Sequence, residues 1–121
     1  MVRAKIKSVE ITEVPNLDPQ GYKPDDPEDF NCTFCFTIGP ADGDGGEQFQ
    51  VSVCSPKWLI RECGSRGFVW GRHHLVVSRY KLEEILNVTS KFLDNQTGTS
   101  WAEVATKLAR IAAWEFEDYR E

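Results

Sequence analysis

The sequence predicts an α+β fold: a mainly antiparallel sheet of about four strands, two C-terminal helices and one short helix, in two layers. Three observations carry this. Phe30, Cys32, Phe34, Phe36 and Ile38 alternate with polar residues. A second alternating run, Phe49, Val51 and Val53, follows a glycine-rich stretch. Beyond residue 80 the apolar residues recur at helical spacing instead. The 121 residues are enough for one domain with an ordinary core.

Residues 4–14 read as a strand whose apolar phase shifts between Ile6 and the pair Val9 and Ile11, the signature of a bulge or bend. Residues 15–29 hold four prolines, Asn16, Gly21 and several acids, so they form a long ordered loop. A connection of that length in a small domain is often functional. Residues 30–38 and 49–53 pair as an antiparallel hairpin around the turn composition of residues 39–46. Ser55-Pro56 starts a short helix carrying Trp58, Leu59 and Ile60, which residues 64–67 end. Residues 71–77 read as another strand. Residues 80–95 are helical, with Leu82, Ile85, Leu86, Thr89 and Leu93 on one face and Gly98 closing the segment. The last helix, residues 100–112, opens on a capping box of Ser100 and Glu103 and buries Val104, Leu108 and Ile111.

Charge is unevenly spread. Net charge is −5, which disfavours non-specific nucleic-acid binding. Residues 10–29 carry seven acids against Lys23, and residues 42–47 add three more. Residues 57–81 reverse the sign, with six bases against Glu62. No stretch approaches the roughly 20 apolar residues of a membrane span, and the opening residues lack the apolar run of a signal peptide. A cytoplasmic protein with reduced Cys32, Cys35, Cys54 and Cys63 is expected.

Metal and catalytic signals are weak. Cys32 and Cys35 have zinc-like spacing, but on a strand they point to opposite faces. His73 and His74 are adjacent on an expected strand and cannot ligate one ion together. A small enzyme or ligand-binding protein using His73 or His74 with a cysteine is the alternative class, though no Cys–His or Ser–His–Asp spacing supports it. No phosphate-binding glycine loop and no calcium-loop alternation occurs, so no cofactor or metal is assigned.

The end of the chain is the least explained by folding. Trp114 and Phe116 suit a core, but Glu115, Glu117 and Asp118 between and after them do not. On a helix C-terminus such acids oppose the dipole by a few tenths to about 1 kcal/mol. Tyr119, beside Asp118 and Arg120, is the aromatic best suited to an interface.

Four segments carry a resemblance in order along the chain: Gly21-Tyr-Lys-Pro-Asp-Asp-Pro-Glu-Asp-Phe30, Phe49-Gln-Val-Ser-Val-Cys-Ser-Pro-Lys-Trp-Leu59, Gly71-Arg-His-His-Leu-Val-Val77 and Trp114-Glu-Phe-Glu-Asp-Tyr119. With them the chain resembles the immunity protein 8 family of bacterial polymorphic toxin systems. The resemblance implies a small α+β protein that is not an enzyme and neutralises a cognate toxin domain encoded beside it. Such toxins are often nucleases with basic grooves, which an acidic inhibitor meets fast. The expected contact residues are Asp25, Asp26, Glu28, Asp29, Asp42, Asp44, Glu115, Glu117, Asp118 and Tyr119. The expected partner is that toxin protein, with neither nucleic acid nor membrane, and the chain itself is a monomer or homodimer.

Overall fold

A computed structural model of the chain describes residues 1–117. Three long strands form the frame: β1 (Val2–Ile11), β2 (Asn31–Pro40) and β3 (Glu47–Cys54). Each pairs antiparallel with the next. Between β1 and β2 the proline-rich loop contains only a single 3-10 turn, Pro19–Gly21. Helix α1 (Pro56–Arg66) leads to β4 (His74–Val76), and α2 (Leu82–Asp94) to β5 (Thr97–Gly98). Helix α3 (Trp101–Leu108) and β6 (Ala113–Trp114) follow. The sheet order is β4-β3-β2-β1-β5, with β6 also paired to β3.

Alternation sets the core. Ile6, Val9 and Ile11 of β1 stand opposite Ile38, Phe36 and Phe34 of β2. They share a face because the register shifts between Ile6 and Ser8, which is the expected bulge. Phe49, Val51 and Val53 extend that face onto β3, opposite Phe36, Phe34 and Cys32. Ile85, Thr89 and Leu93 of α2, with Val104, Ala105 and Leu108 of α3, cover it. The hairpin closes tightly: a Cβ on Gly39 would sit 2.1 Å from the Gly45 carbonyl oxygen, so only glycine fits there.

Several elements differ from the sequence expectation. Among the described residues the sheet has six strands rather than about four, and it is mixed: β4 runs parallel to β3, because α1 forms a crossover between them. The strand expected over residues 71–77 shrinks to three residues. His73 has φ 62°, a left-handed conformation that breaks extended backbone. Gly98 belongs to β5 rather than closing α2. The last helix stops at Leu108, so Ile111 is 36% exposed and does not extend the buried stripe. Glu115 and Glu117 therefore sit on no helix, and their conflict with a helix dipole disappears. The capping box is half made: Ser100 Oγ accepts from Glu103 N at 3.2 Å, while Glu103 reaches past Ser100 to Thr99.

Ser55 ties the start of β2 to the start of α1. It is fully buried, its Oγ accepts from Phe30 N at 3.0 Å and caps Trp58 N, and its own N–H donates to Phe30 O. Ser55→Ala leaves the buried Phe30 amide one acceptor short and removes the cap. A loss of about 1–3 kcal/mol is expected in denaturant unfolding; an unchanged midpoint would show the hydroxyl to be dispensable.

Burial also holds protons in the core. It pushes the Cys32 thiol from 9.0 up to about 12, with the negative charge of Glu13 and the neighbouring Cys54 adding to it. Tyr80 rises from 10.0 to about 12, again chiefly by burial. The unfolded chain gives up these protons first, so their contribution to stability is complete below about pH 9 and is lost as pH rises towards 12. Thermal midpoints should therefore fall steadily above about pH 9; a flat profile to pH 11, at roughly two units above the unfolded thiol, would contradict the burial argument.

Candidate functional site

The face of the sheet opposite α2 and α3 is polar. Ser8, Thr37 and Gln48 form one row across it, and Glu10, Cys35 and Gln50 the next. Cys35 is buried in that row. Its thiol is raised by desolvation first and then by Glu10 and Glu115, against a lowering hydrogen bond from Gln50. As expected of residues three apart on a strand, Cys32 and Cys35 face opposite ways: Cys32 belongs to the core and Cys35 does not.

The acidic segments occupy separate places. Residues 25–29 lead into β2 at Asn31, whereas residues 42–44 follow its other end at Pro40. Ten residues of strand, about 30 Å, lie between them. Glu115 sits nearer the hairpin: it accepts from Gln48 N at 2.8 Å, and its own N–H donates to Gln48 O. Asp25, Asp26, Glu28, Asp42, Asp44 and Glu115 are all exposed. Asp29 and Glu117 are half-buried and form ion pairs, with Arg61 and with Arg72 (2.7 Å). Asp118 and Tyr119 lie outside the described residues. Of the aromatics assigned to the core, Trp114 is half-buried and stacks on Phe49 at 6.2 Å, while Phe116 is exposed.

The histidines are held by backbone. His73 Nε2 donates to Ala109 O at 3.2 Å, and His74 Nδ1 donates to Arg72 O at 3.2 Å. Trp58 stacks on the His74 ring at 6.5 Å. His74 and the exposed Cys63 line one groove, but among the described residues no hydrogen bond joins them. Among the described residues no three His, Cys, Asp or Glu side chains gather to hold a metal ion, and no helix is long and apolar enough to cross a membrane.

Two surfaces stand out that sequence reasoning did not single out. The first is an open groove of about 740 Å³ between the proline-rich loop and the start of α2. Pro19, Pro24, Tyr22, Tyr80, Leu82 and Leu86 contribute to its lining. The second is α1 with the loop behind it. This helix buries none of its residues. Ile60 is 72% exposed, Phe68 53% and Trp70 79%. The sequence signal was present: two aromatics between Gly67 and Gly71, in a segment too short to bury both.

No curated protein and no solved structure matches the chain. A family model described as Immunity protein 8 matches residues 4–119, from β1 to beyond β6. The protein belongs to the immunity protein 8 family.

Proposed function

We propose that this protein neutralises a cognate polymorphic toxin domain by binding it directly, and that its acidic segments steer the encounter. The observation that carries the reading is the extent of the family match. It spans residues 4–119 of 121, so the family's role attaches to the whole domain and not to a fragment of it. The role is that of an inhibitor acting by contact, not of a catalyst.

The charge distribution supports steering rather than one acidic plug. Asp25, Asp26 and Glu28 project at one end of β2, and Asp42 and Asp44 at the other. Among the described residues none of these five forms an ion pair. Their field, with Glu115 and the net charge of −5, attracts a basic partner such as a nuclease from a distance. Asp29 and Glu117 have a second duty, because they hold Arg61 and Arg72. Asp118 and Tyr119 complete the proposed contact set.

Co-expression tests the reading. The toxin domain encoded beside this chain should be lethal alone, tolerated with the chain, and co-purified with it. Replacing Asp25, Asp26, Asp42 and Asp44 by asparagine together should slow association several-fold, on the order of 10-fold at low salt, with dissociation little changed. An association rate indifferent to both salt and these four substitutions would remove the steering role.

A further inference from the structure

We propose that α1 and the loop following it form the anchor surface for that toxin domain, with Trp70, Phe68 and Ile60 entering an apolar pocket whose rim carries carboxylates. This rests on the toxin-binding reading above and names where, and with what chemistry, the partner is held.

An amphipathic helix in a small domain normally buries its apolar stripe, yet α1 buries no residue. Burying a Trp or Phe removes roughly 150–250 Å² from water. Trp70 and Phe68, both more than half exposed, therefore leave about 250 Å² bare before Ile60 and Val76 are added. That approaches the few hundred Å² at which an exposed patch on a monomer is commonly functional.

The patch is also rigidly built. Ser55 caps the helix at its start. Gly67, at φ 88°, closes its end and donates its N–H to Cys63 O at 2.7 Å. The Phe68 and Trp70 rings meet edge to face at 6.3 Å, and the Arg66 guanidinium lies 5.5 Å over the Phe68 ring. Side chains held this way lose little freedom on binding, and tryptophan and arginine dominate interface hot spots. Beside them lies an open groove of about 510 Å³, lined by Leu59, Cys63, Val69 and Val76 among others, which would take an apolar side chain of the partner.

Charge selects the occupant. From Pro56 to Arg72 the chain carries Lys57, Arg61, Arg66 and Arg72 against Glu62, with Asp29 and Glu117 pairing Arg61 and Arg72 from outside the segment, in a protein whose net charge is −5. Arg61, Arg66 and Arg72 stay more than half exposed even in their ion pairs. A partner surface with acids around an apolar pocket complements this. A second copy of the chain does not: a two-fold contact would set the arginines against their own copies. An anionic membrane would meet the acidic segments as well as this patch.

The experiment is affinity for the cognate toxin domain by calorimetry, with wild type, Trp70→Ala, Arg66→Glu and a control, Val88→Ser, at an exposed position on α2. Trp70→Ala should weaken binding by roughly 30-fold or more. Its melting temperature should not change, since the side chain is mostly in solvent. Arg66→Glu should weaken binding too, and Val88→Ser should not. Wild-type binding with a Trp70→Ala affinity within about three-fold of it overturns this inference alone, the difference being well under 1 kcal/mol. Failure of the wild type to bind overturns the toxin-binding reading and this inference with it. A wild-type dimer that Trp70→Ala converts to monomer would assign the patch to a second copy. Retention on phosphatidylcholine–phosphatidylserine vesicles that Trp70→Ala abolishes would assign it to lipid. Either result overturns the proposal.

Discussion

The three long strands present only one apolar face, and that constraint organises the molecule. Phe34, Phe36, Phe49, Val53 and Ile11 all lie on it, and a sheet face of that kind must be covered. Helices α2 and α3 cover it with Ile85, Leu93, Val104 and Leu108. Among the described residues nothing apolar of comparable extent exists on the other face, where Glu10, Thr37, Gln48 and Gln50 project. The core is therefore complete without α1. A helix that the fold does not need for its core, yet holds in a defined place, is the part of the molecule most free to serve a partner.

That place is defined by polar contacts, together with the half-buried Trp58 stacked on His74, rather than by fully buried side chains. Ser55 joins the α1 start to Phe30. Arg61 joins the helix to Asp29 on the loop before β2, and Arg72 joins the following loop to Glu117 beyond β6. Individually such exposed pairs contribute little, about 0–1 kcal/mol. Their value here is orientation: each ties α1 or its loop to a different part of the chain. The two ion pairs also explain why acids appear where the core has no use for them. Asp29 and Glu117 balance arginines of the α1 surface, while Asp25, Asp26, Asp42 and Asp44 form no ion pair among the described residues.

Much of the frame was legible in the sequence because it obeys local rules. The strict alternation over Phe30–Ile38 and the phase shift after Ile6 translate directly into paired strands and a bulge. What was illegible depends on tertiary placement. Strands β5 and β6 are two residues each and exist only because they dock on β1 and β3. His73 adopts a left-handed backbone that no pattern announces. Ile111 has helical spacing from Leu108, but the helix has already ended. The proposed binding surface was harder still. Acids are conspicuous in a sequence, and they drew attention to residues 25–29 and 115–118. Trp70 looks like any core tryptophan until the fold shows that no element among the described residues covers it.

In the proposal above this domain acts by contact through the α1 surface. Hydrogen–deuterium exchange of the chain, alone and saturated with its cognate toxin domain, addresses it most directly. Slowed exchange concentrated in amides of residues 56–72 is the predicted result. Protection confined to α2, α3 or the hairpin, with residues 56–72 exchanging as in the free protein, would contradict it.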